Sequence, residues 1–191
     1  TTVIDGPPGK VPNFYKKPNG IFFLEKTSAG ILTTETFTRK RPDARFATQS
    51  GPMLVIEGRL HPALIPGSTD RTRRSGVGVC ENGQVRFAIS ETDVNFHDFA
   101  RLFRDHLSCP NALFLDGGRG AGIYSPAFDR DDISWHGGYG PMFGLVAEST
   151  VGVFEHTEGK DAVAVTAGGV VRFTFTNLLG TFWQPLEKRQ R

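Results

Sequence analysis

The sequence predicts an α+β fold, a single domain built on a mostly antiparallel or mixed β-sheet with one or a few packed helices. Glycine supplies 23 of the 191 residues and phenylalanine 16, and Gly-rich turns between short Phe-rich runs favour strands over helices. Only one segment has a clear helical period, and the repeated βαβ units of a doubly wound sheet are absent. Since no repeat or linker divides the chain, we predict one domain over residues 1–191.

The first part of the chain consists of short apolar runs between polar turns. Residues 1–19 are rich in proline and predict an extended segment. The polar residues 26–29 predict a hairpin loop, residues 49–51 break two apolar runs, and residues 58–73 predict a loop. The strands predicted here are 21–24, 30–37, 45–48 and 52–56.

The clearest hairpin follows. Two apolar runs with alternating pattern, 76–80 and 85–89, flank an Asn82-Gly83 pair. Asn-Gly between such runs is a strong signal for a tight antiparallel turn.

Segment 95–107 has the period of an amphipathic helix. Its apolar face consists of Phe96, Phe99, Leu102, Phe103 and Leu107. Asn95 is a suitable N-cap, Asp98 three residues later approximates a capping box, and Pro110 prevents continuation. We therefore predict that Phe99 and Phe103 are buried and that three charged residues face water: Arg101, Arg104 and Asp105.

A strand at 112–115 ends in Asp116 and two glycines, and further strands are predicted at 141–147 and 170–175. The polar tail, 186–191, is predicted to fray.

Composition excludes some classes of protein. No run approaches the ~20 apolar residues of a membrane helix, and the polar residues 1–10 do not predict a signal peptide. Lys plus Arg is 22 and Asp plus Glu is 20, a net charge of +2 that gives no indication of a nucleic-acid partner. The two cysteines, Cys80 and Cys109, are too few for a disulfide framework or a four-Cys zinc site, and their apolar neighbours predict inert buried thiols.

The motifs of metal and cofactor sites are also absent. None of the five histidines forms H-E-x-x-H or a zinc-ligand spacing, and no G-x-S-x-G occurs. The glycines of segment 117–122 do not fit G-x-G-x-x-G or a Walker loop, although their N–H groups could face an anion. We predict no metal and no cofactor, with a carboxylate-bound Ca²⁺ or Mg²⁺ left open.

Four constellations are candidates for chemistry. Asp116 before Gly117 and Gly118 would present a carboxylate at the open end of a strand, or it would form an Asx-turn. In segment 48–53, Ser50 and Gly51 would hold an anion or hydroxyl, or the segment would form a bulge.

Arg74 at the start of a strand would clamp a phosphate in a bidentate manner, or it would belong to a solvated basic loop. Asn19, in the Lys-Pro-Asn-Gly stretch 17–20, most simply belongs to a turn that leads into a strand.

Five blocks together resemble the phosphodiester glycosidase domain, the family of the lysosomal mannose-6-phosphate uncovering enzyme, in its bacterial form. They occur in the family's order: NFYKKPNGIFF (13–23), ATQSGPMLVIEG (47–58), RRSGVGV (73–79), ISETDVNFHDFARLFRDHLSCPNALFLDGG (89–118) and GPMFGLVAE (140–148). The resemblance covers residues 13–148. Relatives usually carry an Asn-Ala-Gly region before the first block, so we expect that N-terminal part of the family domain to be missing here. Many also have Ser or Thr after Asp-Gly, where this chain has Arg119.

The resemblance implies hydrolysis of a sugar-1-phosphodiester at the glycosidic bond, which releases a free sugar and a phosphomonoester, on a bacterial glycan or exopolysaccharide. The partner implied is a carbohydrate phosphate, and the location implied is the periplasm or the outside of the cell. The site residues implied are Asp116 as the catalytic carboxylate and Asn19, Ser50, Gly51, Arg74, Gly117 and Gly118 as the substrate- and phosphate-binding residues.

Two questions stay open. A second carboxylate could be Glu91, Asp93, Asp129 or Asp132, or could be absent. The competing functions are a non-catalytic module that binds a phosphorylated glycan, which Arg119 and the missing region favour, and a structural domain whose motifs only form turns.

Overall fold

This computed structural model describes residues 16–126, 129–132, 142–144 and 162–164. They form a five-stranded and a three-stranded antiparallel sheet, two further two-stranded sheets and two α-helices. The elements are β1 (Gly20–Leu24), β2 (Ala29–Thr33), α1 (Thr34–Lys40), β3 (Phe46–Ser50), β4 (Met53–Ile56), β5 (Arg59–Leu60), β6 (Arg74–Val79), β7 (Val85–Ile89), α2 (Phe96–Arg101), β8 (Asn111–Gly117), β9 (Tyr124–Ser125), β10 (Arg130–Asp131), β11 (Met142–Gly144) and β12 (Ala162–Ala164).

The larger sheet has the strand order β5-β4-β8-β6-β7, and the smaller one has the order β2-β1-β3. All neighbours in both sheets are antiparallel, as are β9 and β10, whereas β11 and β12 pair in parallel. The α+β prediction with a largely antiparallel sheet is therefore confirmed. That residues 1–191 form one domain stays a prediction.

Strand β8 is the centre of the core because both of its faces are covered. Ala112 and Phe114 face the apolar side of α2, while Leu113 and Leu115 belong to a second cluster that includes Phe22 of β1. On the far side of the smaller sheet, Phe23 packs against Phe37 of α1 at 5.3 Å between ring centroids. The layers thus follow the order α2, larger sheet, smaller sheet, α1.

Helix α2 lies close to β6 because that strand carries glycines on the helix side. A Cβ at Gly76 would come within 3.0 Å of Phe99 Cε1, and a Cβ at Gly78 would come within 2.7 Å of Phe103 Cδ1. The glycines of the RRSGVGV block therefore serve helix packing.

The predicted helix over 95–107 is confirmed, with α2 continued by one π-helical turn, Leu102–His106. The Asn95 side chain accepts the Asp98 N–H at 2.8 Å, and its amide donates to the Asp98 carboxylate at 2.9 Å. Phe99 and Phe103 are fully buried, Asp105 is exposed, and Arg101 and Arg104 are partly exposed.

Two local predictions need correction. The strand predicted over 30–37 ends at Thr33, whose hydroxyl accepts the Thr36 N–H at 3.2 Å and so caps helix α1. The strands of the hairpin at 76–89 are confirmed, but a 3₁₀ turn, Glu81–Gly83, joins them, with Gly83 at φ 72°. Outside the described residues lie the predicted strand 170–175, the tail 186–191 and all but 142–144 of the predicted strand 141–147.

The prediction of free thiols is wrong, since Cys80 and Cys109 form a disulfide. The two residues are 29 positions apart, but β6 and β8 are neighbours whose register pairs Val79 with Asn111. Cys80, which follows β6, therefore lies beside Cys109, which precedes β8. The spacing of the two cysteines in the sequence does not predict this contact.

We expect the disulfide to stabilise the fold by about 3.5 kcal/mol, the contribution that loop-closure entropy gives for a loop of this length. Reduction should lower the urea midpoint of the parent, and Cys80→Ala/Cys109→Ala should reproduce that loss and be insensitive to reductant. A parent midpoint that reductant leaves unchanged would contradict the assignment.

Within the described residues, neither helix has the length and apolar character needed to span a membrane.

Candidate functional site

A cavity of about 310 Å³ opens where the end of β8 meets the start of β6, the first residue of α2 and the turn between β3 and β4. Its walls are formed by Lys16, Gly51, Pro52, Asp70, Thr72, Arg74, Phe96, Phe114, Asp116, Gly117 and Gly118. Five of the residues predicted for the site therefore line one cavity: Gly51, Arg74, Asp116, Gly117 and Gly118.

Asp116 is held at the end of β8 through its backbone. Its N–H donates to Ser75 Oγ at 3.2 Å, and its carbonyl accepts from the same hydroxyl at 3.0 Å. One carboxylate oxygen accepts the Gly117 N–H at 2.7 Å, so the carboxylate also takes part in the turn. A Cβ at Gly120 would lie 2.5 Å from the other oxygen, so Gly120 leaves the room that this carboxylate occupies.

Arg74 does not belong to a solvated loop, because it begins β6 and is only 3 % exposed. Its Nε donates to the Val94 carbonyl at 2.7 Å, and Nη2 donates to the Asp70 carbonyl at 3.0 Å. The guanidinium stacks on the Phe96 ring, 3.6 Å from the centroid. These contacts fix the plane of the guanidinium at the cavity wall.

Gly117 and Gly118 contribute shape, because their N–H groups already have partners within the protein. The Gly117 N–H donates to Asp116, and the Gly118 N–H donates to the Arg73 carbonyl at 2.7 Å. Gly118 has φ 59°, a conformation that favours glycine. In this structure both N–H groups are occupied by protein acceptors, and a contact with an anion stays a prediction.

Ser50 and Asn19 lie next to the cavity and do not line it. The Ser50 hydroxyl donates to the Leu115 carbonyl at 3.0 Å, which ties the end of β3 to β8 just before Asp116. Asn19 is 2 % exposed, and within the described part of the chain neither polar atom of its side chain has a hydrogen-bond partner. A Cβ at Gly51 would overlap the Asn19 amide, with Cγ at 2.8 Å, so Asn19 packs directly against that cavity residue.

Sequence reasoning did not assign to the site six of the residues that line the cavity: Lys16, Pro52, Asp70, Thr72, Phe96 and Phe114. Phe96 and Phe114 were predicted only as apolar members of a helix and a strand. Their rings lie beside Arg74, with 4.9 Å between the ring centroids. Lys16 Nζ lies 5.1 Å from the centroid of the Phe96 ring. The available signal was proximity along the chain, since Asp70 and Thr72 lie four and two positions before Arg74.

None of the four acidic residues considered as a second carboxylate lines the cavity. Glu91 and Asp132 both bind Arg130, at 2.6 and 2.8 Å, and Asp132 also binds Arg73 at 2.7 Å. Burial would raise the pKa of Asp132, but its bonds to Arg130, the Ile123 N–H and Arg73 outweigh burial and lower it. This ion-pair cluster ties the segment after Asp116 to the residue before β6 and to the segment after β7.

No group of three or more metal-ligating side chains occurs among the residues that the structure describes.

His61 fixes the chain next to Lys16. Its Nε2–H donates to the Lys17 carbonyl at 2.8 Å, and its Nδ1 accepts the Ala63 N–H at 3.0 Å, which requires the neutral ring. Burial lowers the pKa of His61 below the ordinary 6.5, against the raising effect of the Lys17 carbonyl.

We expect the free energy of unfolding to fall as pH drops below 6.5, because the unfolded chain then binds a proton that the folded His61 resists. The stabilisation is complete above pH 6.5 and is lost as pH falls through the lowered pKa. Urea unfolding at pH 5 to 8 measures this slope. His61→Gln should remove it, the exposed His106→Gln should keep it, and an unchanged slope in His61→Gln would refute the assignment.

Comparison with known proteins agrees with the resemblance in the sequence blocks. The model of the phosphodiester glycosidase family matches residues 8–136, more than half of the chain. The chain therefore belongs to the phosphodiester glycosidase family.

A protein of Escherichia coli (strain K12), called uncharacterized protein YigE, is 34 % identical over 105 residues. That alignment covers 55 % of this chain and 41 % of the relative, so the chain spans less than half of the relative's length. A crystal structure of a hypothetical protein from Synechocystis aligns with 49 % of this chain and 19 % of that one, at 24 % identity and a TM-score of 0.37.

Proposed function

We propose that this chain hydrolyses a sugar-1-phosphodiester at the glycosidic bond, releasing a free sugar and a phosphomonoester, with a bacterial glycan or polysaccharide as the substrate. The observation that carries the proposal is one cavity, in a member of the phosphodiester glycosidase family, that joins the Asp116 carboxylate to the fixed Arg74 guanidinium.

The chemistry needs three contributions. The sugar develops positive charge at C1, the phosphate carries negative charge, and water must be positioned for attack. Asp116 supplies the carboxylate that stabilises the sugar cation or orients the water. Arg74 supplies the planar cation that binds phosphate. A phosphate leaving group is a weak base, so strong general-acid help is unnecessary.

The remaining predicted residues have supporting roles in this proposal. Gly51, Gly117 and Gly118 leave room for the substrate beside the backbone. Ser50 acts through its bond to Leu115, which positions the end of β8. Asn19 acts through its contact with Gly51, and its buried amide, which has no partner among the described residues, could hold a buried water beside the cavity wall.

We propose further that residues 1–191 act as a single domain and that the protein works outside the cytoplasm, in the periplasm or as a secreted protein. The Cys80–Cys109 disulfide supports that location, because structural disulfides persist in oxidising compartments.

A module that binds a phosphorylated glycan without cleaving it is the second candidate. It is favoured by the Asp116 carboxylate, because one of its oxygens is already bound to the Gly117 N–H inside the turn. Release of reducing sugar from a sugar–phosphate–sugar diester decides between the two. Release supports the glycosidase. Phosphate-competed glycan binding with no release supports the module.

A further inference from the structure

The charged side chains of the cavity balance each other. Lys16 and Arg74 bring two positive charges, and Asp70 and Asp116 bring two negative charges. A site that only had to bind phosphate tightly would benefit from an excess of cations. The presence of two carboxylates in this cavity therefore needs an explanation. The proposed catalytic role explains Asp116 but not Asp70.

Asp70 lies beside the group that would hold the phosphate. Its Oδ2 is 3.6 Å from Arg74 Nη2, within ion-pair distance, while the hydrogen bond of that nitrogen goes to the Asp70 backbone carbonyl at 3.0 Å. Its side chain is 58 % exposed, so the carboxylate lies at the mouth of the cavity. The Asp70 N–H donates to Ser68 Oγ at 3.2 Å, which fixes the backbone that carries it.

The proposed reaction changes the charge of the bound phosphate. Water oxygen forms a bond to C1, the bond from C1 to the phosphate oxygen breaks, and one proton of the water is released to solvent. The substrate diester carries one negative charge. The product monoester has a second ionisation near pH ~6, so it carries almost two at higher pH.

We propose that Asp70 is a specificity-determining residue that repels the second negative charge of a phosphomonoester. The cavity then retains the monoanionic diester and releases the dianionic product. This inference rests on the proposed function, but it concerns binding and can be measured without turnover.

The probes are phenyl phosphate, a monoester, and methyl phenyl phosphate, its diester, neither of which is a glycoside. Calorimetric titration at pH 8 should show Asp70→Asn binding the monoester about tenfold more tightly than the parent, the scale of one charge a few ångströms away in a half-exposed site. Diester affinity should change less than about threefold. At pH 5, where the monoester carries one charge, the difference between the two probes should disappear.

Asp43→Asn is the matched control, because Asp43 is exposed and does not line the cavity. It removes the same charge and should leave both affinities unchanged. Asp70→Ser, with a melting curve for each variant, guards against a folding defect specific to asparagine.

Equal shifts for the two probes, no shift for either, or no monoester binding by the folded Asp70 variants would overturn the role of Asp70. Failure of the proposed function has a different signature. Asp70→Asn would still change the affinity for the monoester more than the affinity for the diester, but the parent would release no sugar from a glycosyl phosphodiester.

Discussion

Asp116→Asn is expected to lower the rate of sugar release by about 10² or more, the scale of a lost catalytic carboxylate. Asparagine keeps the shape and can accept the Gly117 N–H that now binds the carboxylate at 2.7 Å, so the turn and the melting temperature should change little. Loss of rate with little change in substrate affinity identifies a role in the transition state. Asp43→Asn should retain the parental rate. Parental turnover in Asp116→Asn would end the catalytic assignment and leave Asp116 as a turn residue.

Arg74→Lys tests the phosphate end of the same cavity. Lysine keeps the charge but loses the planar fork, its stacking on Phe96 and the bond from Nε to Val94. Binding of the phosphodiester should weaken. Since Arg74 is buried, the affinity has to be read beside a melting curve that shows the variant folded.

Phe99→Ala is expected to cost about 3–5 kcal/mol of unfolding free energy, the usual range for a buried aromatic residue. Phe99 is fully buried, packs edge-on against Phe103 at 5.5 Å and covers Gly76 of β6. The void would lie between α2 and the larger sheet. Strand β6 cannot fill it, because Gly76 has no side chain there.

The matched control is Phe46→Ala, since Phe46 is 53 % exposed at the edge strand β3. It should change unfolding free energy by less than about 1 kcal/mol. Urea unfolding of both variants measures the difference, and similar costs for the two would contradict the assigned face of α2.

Features encoded by neighbours in sequence were predictable. The periodicity of 95–107 gave the helix, its N-cap and its buried face, and these follow from contacts within a few residues. Helix α1 was missed because Thr-rich segments have strand propensity, while the cap that decides the matter is a single hydroxyl, that of Thr33. The disulfide was missed because it depends on the register of β6 against β8.

The candidate site divides in the same way. Asp116 and Arg74 were predicted because each stands at a strand end beside glycines, a local pattern. That Arg74 is buried against Phe96, or that Asp70 shares its cavity, depends on how α2 and the loop before β6 pack on the sheet. Phe96 is far from Arg74 in sequence, so no spacing rule contains that contact, whereas the nearness of Asp70 to Arg74 along the chain was the one signal available.

The central claim, cleavage between sugar and phosphate at this cavity, is tested most directly by hydrolysis in ¹⁸O-enriched water. The parent is incubated with a sugar–phosphate–sugar diester, and mass spectrometry measures the ¹⁸O content of each product. The account predicts that the phosphomonoester keeps only unlabelled oxygen, and this result decides the matter because the anomeric oxygen of a released reducing sugar also exchanges with water. Label in the phosphate would contradict it, because water would then have attacked phosphorus.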